Sequence, residues 1–121
     1  MFLKLNHQKL EIYAISRRFV VEAYKPTKQL PTDEKFGMIS QVRRAALSVH
    51  LNMAEAASRK SSGERKRFYE VARGSVIEID AALDVANDLG YLQDYNSKSL
   101  GESMITCFKI LTGLIKSGDK D

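Results

Sequence analysis

Four polar residues, Arg44, Ser48, Asn52 and Glu55, stand at i, i+4, i+8 and i+11 within the stretch SQVRRAALSVHLNMAEAASRK. On a helix that spacing draws one continuous stripe whose members can reach one another. A cation, a hydroxyl, an amide and a carboxylate so aligned can hold a ligand, order neighbouring helices or subunits, or simply face water. Arg43 adjoins the stripe, and Glu78 further along the chain is an acid against which Arg44 can be set. A fully satisfied network of this kind fixes register more than it adds stability.

A second constellation is the run RKSSGERKR, with Arg59, Lys60, Arg65, Lys66 and Arg67 giving five Lys/Arg in nine residues. Such a run can neutralise several phosphates, with an affinity that falls steeply as salt rises. The plainer alternative is a solvated, soluble surface. Aromatic interleaving is sparse: Phe68 belongs to an apolar seam and only Tyr69 is placed to stack on a base, which argues against sequence-specific reading of a single strand. The formal net charge is +4. From Arg43 to Arg73 eight Lys/Arg face three acids, 8 − 3 = +5, so the rest of the chain sums to −1 and the basic excess belongs to one helix-loop-helix.

Other chemistries lack their residues. His7 and His50 are the only histidines and neither follows a Glu by three positions, so the Glu-x-x-His pairs of a di-iron bundle are missing and no metal or other cofactor is expected. Ser48 and His50, two apart, point to different faces of a helix, as do Glu78 and Asp80. SSGE carries one glycine and no Lys-Ser/Thr pair, so it is no phosphate loop. The single cysteine, Cys107, sits at an apolar helical position in MITCFKIL, with no nearby His or cationic pair to activate it. A non-enzymatic protein is expected.

The elements that position these residues read as four helices. The first is predicted over about 7–25, with one stripe at Leu10, Tyr13, Val20 and Tyr24, another at Ile12, Ile15 and Phe19, and Pro26 as its stop. The second, over about 33–57, has Thr32 as N-cap, and Ile39, Val42, Ala46, Val49, Met53 and Ala56 recur at steps of 3, 4, 3, 4, 3. The third, over about 63–89, opens on Ser61 and Glu64 at capping-box spacing, carries Phe68, Ala72, Ser75, Ile79, Ala82, Ala86 and Leu89 as its seam, and stops at Gly90. The fourth spans about 97–116, with Leu100, Met104, Cys107, Leu111 and Leu114 on its stripe, before a tail, KSGDKD, that should fray. No stretch alternates with period two. Short connectors make consecutive helices antiparallel, giving an all-α, up-down four-helix bundle in one domain over 1–121.

With 121 residues, 44% hydrophobic and 28% charged, the chain fits one domain with a real core. MFLKLNHQKLEIY lacks the features of a signal peptide, and no apolar run suffices for a membrane span, so a cytoplasmic protein without membrane contact is expected.

The residues Phe36-Gly37-Met38, Ser40-Gln41-Val42-Arg43-Arg44-Ala45-Ala46 and Ser48-Val49-His50-Leu51-Asn52-Met53-Ala54-Glu55-Ala56, followed by RFYEVARGSVIEIDAAL, carry a resemblance. They resemble the small four-helix-bundle proteins encoded in intervening sequences of bacterial 23S ribosomal RNA genes. Two positions depart from that pattern: His50 stands where the family usually has proline, and Ala56 where it usually has glycine, which predicts a straighter, longer second helix. The family is similar in fold to the accessory bundle proteins of diversity-generating retroelements, which form pentameric barrels that bind nucleic acid and a reverse transcriptase. The resemblance thus implies a ring-like homo-oligomer, a pentamer by preference, with a basic surface for RNA or DNA. Apolar edges wider than a four-helix core consumes favour an oligomer independently. The alternative is a scaffold or protein-partner module that binds no nucleic acid.

Overall fold

In the computed structural model, which describes residues 1–118, the first helix runs through the proline expected to stop it. Helix α1 spans Glu11–Thr27, with Pro26 in its last turn. Pro26 has no N–H to give the Glu22 carbonyl. The turn closes instead through Thr27 Oγ1, which donates to the Tyr24 carbonyl, and through tightened bonds from the N–H groups of Lys28, Gln29 and Leu30 to the carbonyls of Lys25, Pro26 and Thr27. The Pro26 ring is fully buried, and that packing outweighs the local preference. The start of the helix also differs: Asn6–Lys9 form a separate 3-10 turn, and Leu10 is extended before α1 begins. Of the two predicted stripes, the one containing Ile12 and Phe19 is buried, joined by Ser16 and Ala23, while Leu10 is exposed.

Helix α2 spans Met38–Ser58 and begins later than predicted. Thr32, the expected N-cap, instead opens a 3-10 turn, Thr32–Glu34. Gly37 occupies the N-cap position with no side chain to offer, and Glu34 Oε1 accepts the Met38 N–H at 3.3 Å in its stead. Through His50 and Ala56 the helix is unbroken, and Val42, Ala46, Val49, Met53 and Ala56 are buried at their predicted spacing.

Helix α3 spans Ser62–Asp88. Ser61 Oγ accepts the Glu64 N–H at 3.2 Å, while the Glu64 carboxylate takes the Ser61 hydroxyl at 3.3 Å instead of its backbone N–H. At the far end Gly90 has φ +81°, its N–H donates to the Asn87 carbonyl, and the Tyr91 N–H reaches back to the Ala86 carbonyl. This pair of bonds is a Schellman closure, which needs the left-handed conformation that glycine adopts without strain. Helix α4 spans Lys98–Gly118, its first N–H accepted by Asn96 Oδ1 at 3.0 Å. The predicted frayed tail is thus helical through Gly118, and its remainder lies outside the described residues.

Each helix packs on two neighbours: α1 on α2 and α4, and α3 on α2 and α4. Cross-helix contacts give the directions. Ser16 meets His50 and Thr27 meets Arg43, so α1 and α2 are antiparallel; Ser75 meets Ser48 and Phe68 meets Arg59, so α2 and α3 are too. Phe19, Val42, Val49, Met53, Val76, Ile79 and Leu111 are fully buried and form one continuous core. Among the described residues no helix is long and apolar enough to cross a membrane.

Candidate nucleic-acid interface

The α2 polar stripe divides by direction. Ser48 joins α2 to α3: Asn52 Nδ2 donates to the Ser48 carbonyl and to its Oγ, each at 2.9 Å, and Ser75 Oγ donates to Ser48 Oγ at 3.1 Å. Arg43 turns toward α1, its Nε donating to Thr27 Oγ1 at 2.9 Å and its guanidinium lying 5.1 Å from the Tyr24 ring centre. Glu55 turns along its own helix to Arg59 Nη2, 3.0 Å away, in a pair that is about half exposed on both sides. Arg44 and Glu78 are exposed, and among the described residues no ion pair joins them.

The basic run forms one corner of the bundle. Only Arg59, Lys60 and Ser61 separate α2 from α3, so the cations lie on a tight turn and on the first helical turns after it. The turn is held from within. Arg65 Nη1 donates to the Lys60 carbonyl at 2.8 Å and to the Arg59 carbonyl at 3.3 Å, while the Arg59 guanidinium lies 5.0 Å from the Phe68 ring centre. Arg59 and Arg65 therefore shape the loop as well as charging it. Lys60 and Arg67 are exposed, and Lys66 is half-buried. The N-terminus of α3 adds the positive end of its dipole to the same corner.

Buried polar groups elsewhere offer less. Ser16 is fully buried, with its Oγ 2.7 Å from His50 Nδ1 and 3.2 Å from the Tyr13 carbonyl, and the Tyr13 and His50 rings meet edge to face at 4.8 Å. Burial, then the nearby Arg17 and His7 charges, hold the His50 pKa below its ordinary value. The sequence reading missed this Ser–His contact. Its signal was a polar residue set in the Ile12, Ser16, Phe19, Ala23 spacing of 4, 3, 4. Substrate has no path to a hydroxyl sealed in this way, so the contact is structural.

Glu22 is likewise buried. One carboxylate oxygen accepts from Lys25 Nζ and the other, Oε1, has no hydrogen-bond partner among the described residues. Lys25 and the Ser99 hydroxyl hold its pKa below the usual carboxylate range despite the opposing effect of burial. Cys107 is fully buried and desolvation pushes its thiol up to about 12, far from a reactive thiolate. Among the described residues no group of three or more His, Cys, Asp or Glu side chains is gathered as a metal site.

The sequence pattern of a family described as 23S rRNA-intervening sequence protein matches residues 8–113, which spans α1, α2, α3 and most of α4. No curated protein matches the chain.

Proposed function

The chain belongs to the 23S rRNA-intervening sequence protein family, and we propose that it works as a non-enzymatic, self-assembling bundle of the cytoplasm that binds RNA or DNA through phosphate contacts at the α2–α3 corner. The observation that carries this reading is the basic turn. Arg59, Lys60, Arg65, Lys66 and Arg67 are concentrated around a three-residue connector, and Arg65 braces that connector from within. Fixed cations at a helix N-terminus suit phosphate oxygens, whose contacts orient a nucleic acid without reading its sequence. The sealed Cys107 thiol and Ser16 hydroxyl favour a binding role over a catalytic one. A ring of five copies, carried over from the resemblance, would gather five such corners on one rim.

Light-scattering mass of the protein with a mixed-sequence RNA, measured over a salt series, tests the reading. Wild type should gain mass at low salt and lose it as salt rises. Replacing Lys60 and Arg67 by Gln, which leaves the Arg59 and Arg65 bracing intact, should lower the salt slope of binding by about 0.7–0.9 for each charge removed. An unchanged affinity and slope in that variant overturns the assignment. Binding of an acidic protein in place of RNA, surviving nuclease treatment, would support the scaffold alternative.

A further inference from the structure

Two apolar edges remain uncovered within one chain. The first lies on the outer side of the α2–α3 pair. Val71, Gly74, Glu78, Ala81 and Val85 of α3 recur at steps of 3, 4, 3 and 4, the spacing of a seam against another helix, yet all five are exposed. Leu47 and Leu51 of α2 continue this edge. Leu51 is 53% and Val71 48% exposed, and a Cβ added at Gly74 would meet nothing within 4 Å. The Ser75–Ser48 bond sets the register of the antiparallel pair. Leu51 and Val71 share one level of it, and Arg44 and Glu78 share another.

The second edge flanks the first on α3, on the side toward α4. There Ile77, Ile105 and Phe108 line an open cavity of about 280 Å³ between α3 and α4, with Asp80 and Lys109 also on its wall. Ile77 and Ile105 are both more than half exposed. Isolated exposed leucines or valines are ordinary, but a helix-spaced edge and an open apolar cavity together on so small a domain mark contact surfaces.

We infer that the two edges bind each other between copies, the α2–α3 edge of one chain seating in the α3–α4 cavity of the next. The inference rests on the self-assembly part of the proposed function and assigns its surfaces. Charge supports the pairing: the first edge carries Arg44 and Glu78, the second Asp80 and Lys109, all four exposed and outside the ion pairs found among the described residues. Arg44 then faces Asp80, and Glu78 faces Lys109. Contact between two different surfaces is head-to-tail, so it does not stop at a two-fold dimer; its repetition gives a ring where the rotation between copies closes and an open filament where it does not.

Two single variants test this by complementation. Leu51→Glu spoils the first edge and Ile105→Glu the second, and each should turn the oligomer into a monomer of unchanged helical circular dichroism. Mixed one to one, the two monomers should form a heterodimer and nothing larger, because the mixture holds one intact pair of edges per two chains. Leu51→Met and Ile105→Val should keep the oligomer. Should a glutamate variant lose helix content, Val85→Glu replaces it on the first edge and Lys109→Glu on the second. A monomeric wild type overturns the self-assembly reading and the edge assignment together. An oligomeric wild type whose variants still assemble, or whose monomers never pair on mixing, overturns the edge assignment alone.

Discussion

Ser16 has one hydroxyl proton and two partners within reach, the Tyr13 carbonyl at 3.2 Å and His50 Nδ1 at 2.7 Å. The arrangement that satisfies all three groups has Ser16 donating to the carbonyl and accepting from Nδ1–H of a neutral imidazole. Protonating that ring places a second charge in a half-buried site already facing Arg17 and His7, and its pKa is depressed below 6.5. The unfolded chain therefore takes up a proton before the folded one does. Stability from His50 is complete above pH 6.5 and is lost as pH falls through the lower folded value. Denaturant titrations between pH 7.5 and 5 should show this decline, and His50→Gln should flatten it; an identical slope in the variant would refute the role. Glu22, also depressed, loses its contribution only below 4.5, so the two acid limbs separate. Neither group was legible in the sequence. His50 reads as one polar residue on a helix, and its partner lies 34 positions away on another helix, so only the packed fold joins them.

At the scale of the helices, legibility followed how local the determining forces are. The end of α3 was readable because Gly90 acts through its own backbone, and the start because Ser61 reaches only three residues ahead. Replacing Gly90 by Ala forces a Cβ into the left-handed region, where L residues are disfavoured by about 1–2 kcal/mol, and thermal or denaturant unfolding should register a loss of that size. A loss near zero would mean that α3 can end without the Schellman closure. Pro26 was misread for the opposite reason: burial of its ring is a property of assembled neighbours and overrides a preference that is correct for an isolated segment. Thr32 was misread within a local contest, since Glu34 reaches the Met38 N–H four residues ahead and α2 starts there instead. Glu34 also approaches the Tyr91 hydroxyl, at 3.5 Å, so one carboxylate touches both connectors at its end of the bundle.

For the whole molecule, the seams on α2, α3 and α4 carried enough information to give four packed helices, because a 3–4 spacing leaves few other ways to bury an apolar edge. Phe19 shows how far those seams merge: it is fully buried within the core cluster that draws on all four helices. Phe19→Ala should therefore destabilise the entire bundle by about 3–5 kcal/mol in a single cooperative transition. A separate early loss of α1 alone, seen by circular dichroism and hydrogen exchange, would contradict one shared core. Whether the Arg44 stripe is completed within a chain or between chains was not legible, since sequence spacing is the same for both. The bracing of the α2–α3 turn by Arg65 has a further consequence. A flexible basic tail can rearrange to match almost any polyanion, but it loses conformational freedom each time it does so. Here the cations flank a connector already cross-linked to its own helix, so the backbone that carries them is ordered when the chain folds. On the proposed reading, a preorganised array has a fixed spacing of charge and would discriminate among polyanions by how well their own charge spacing matches.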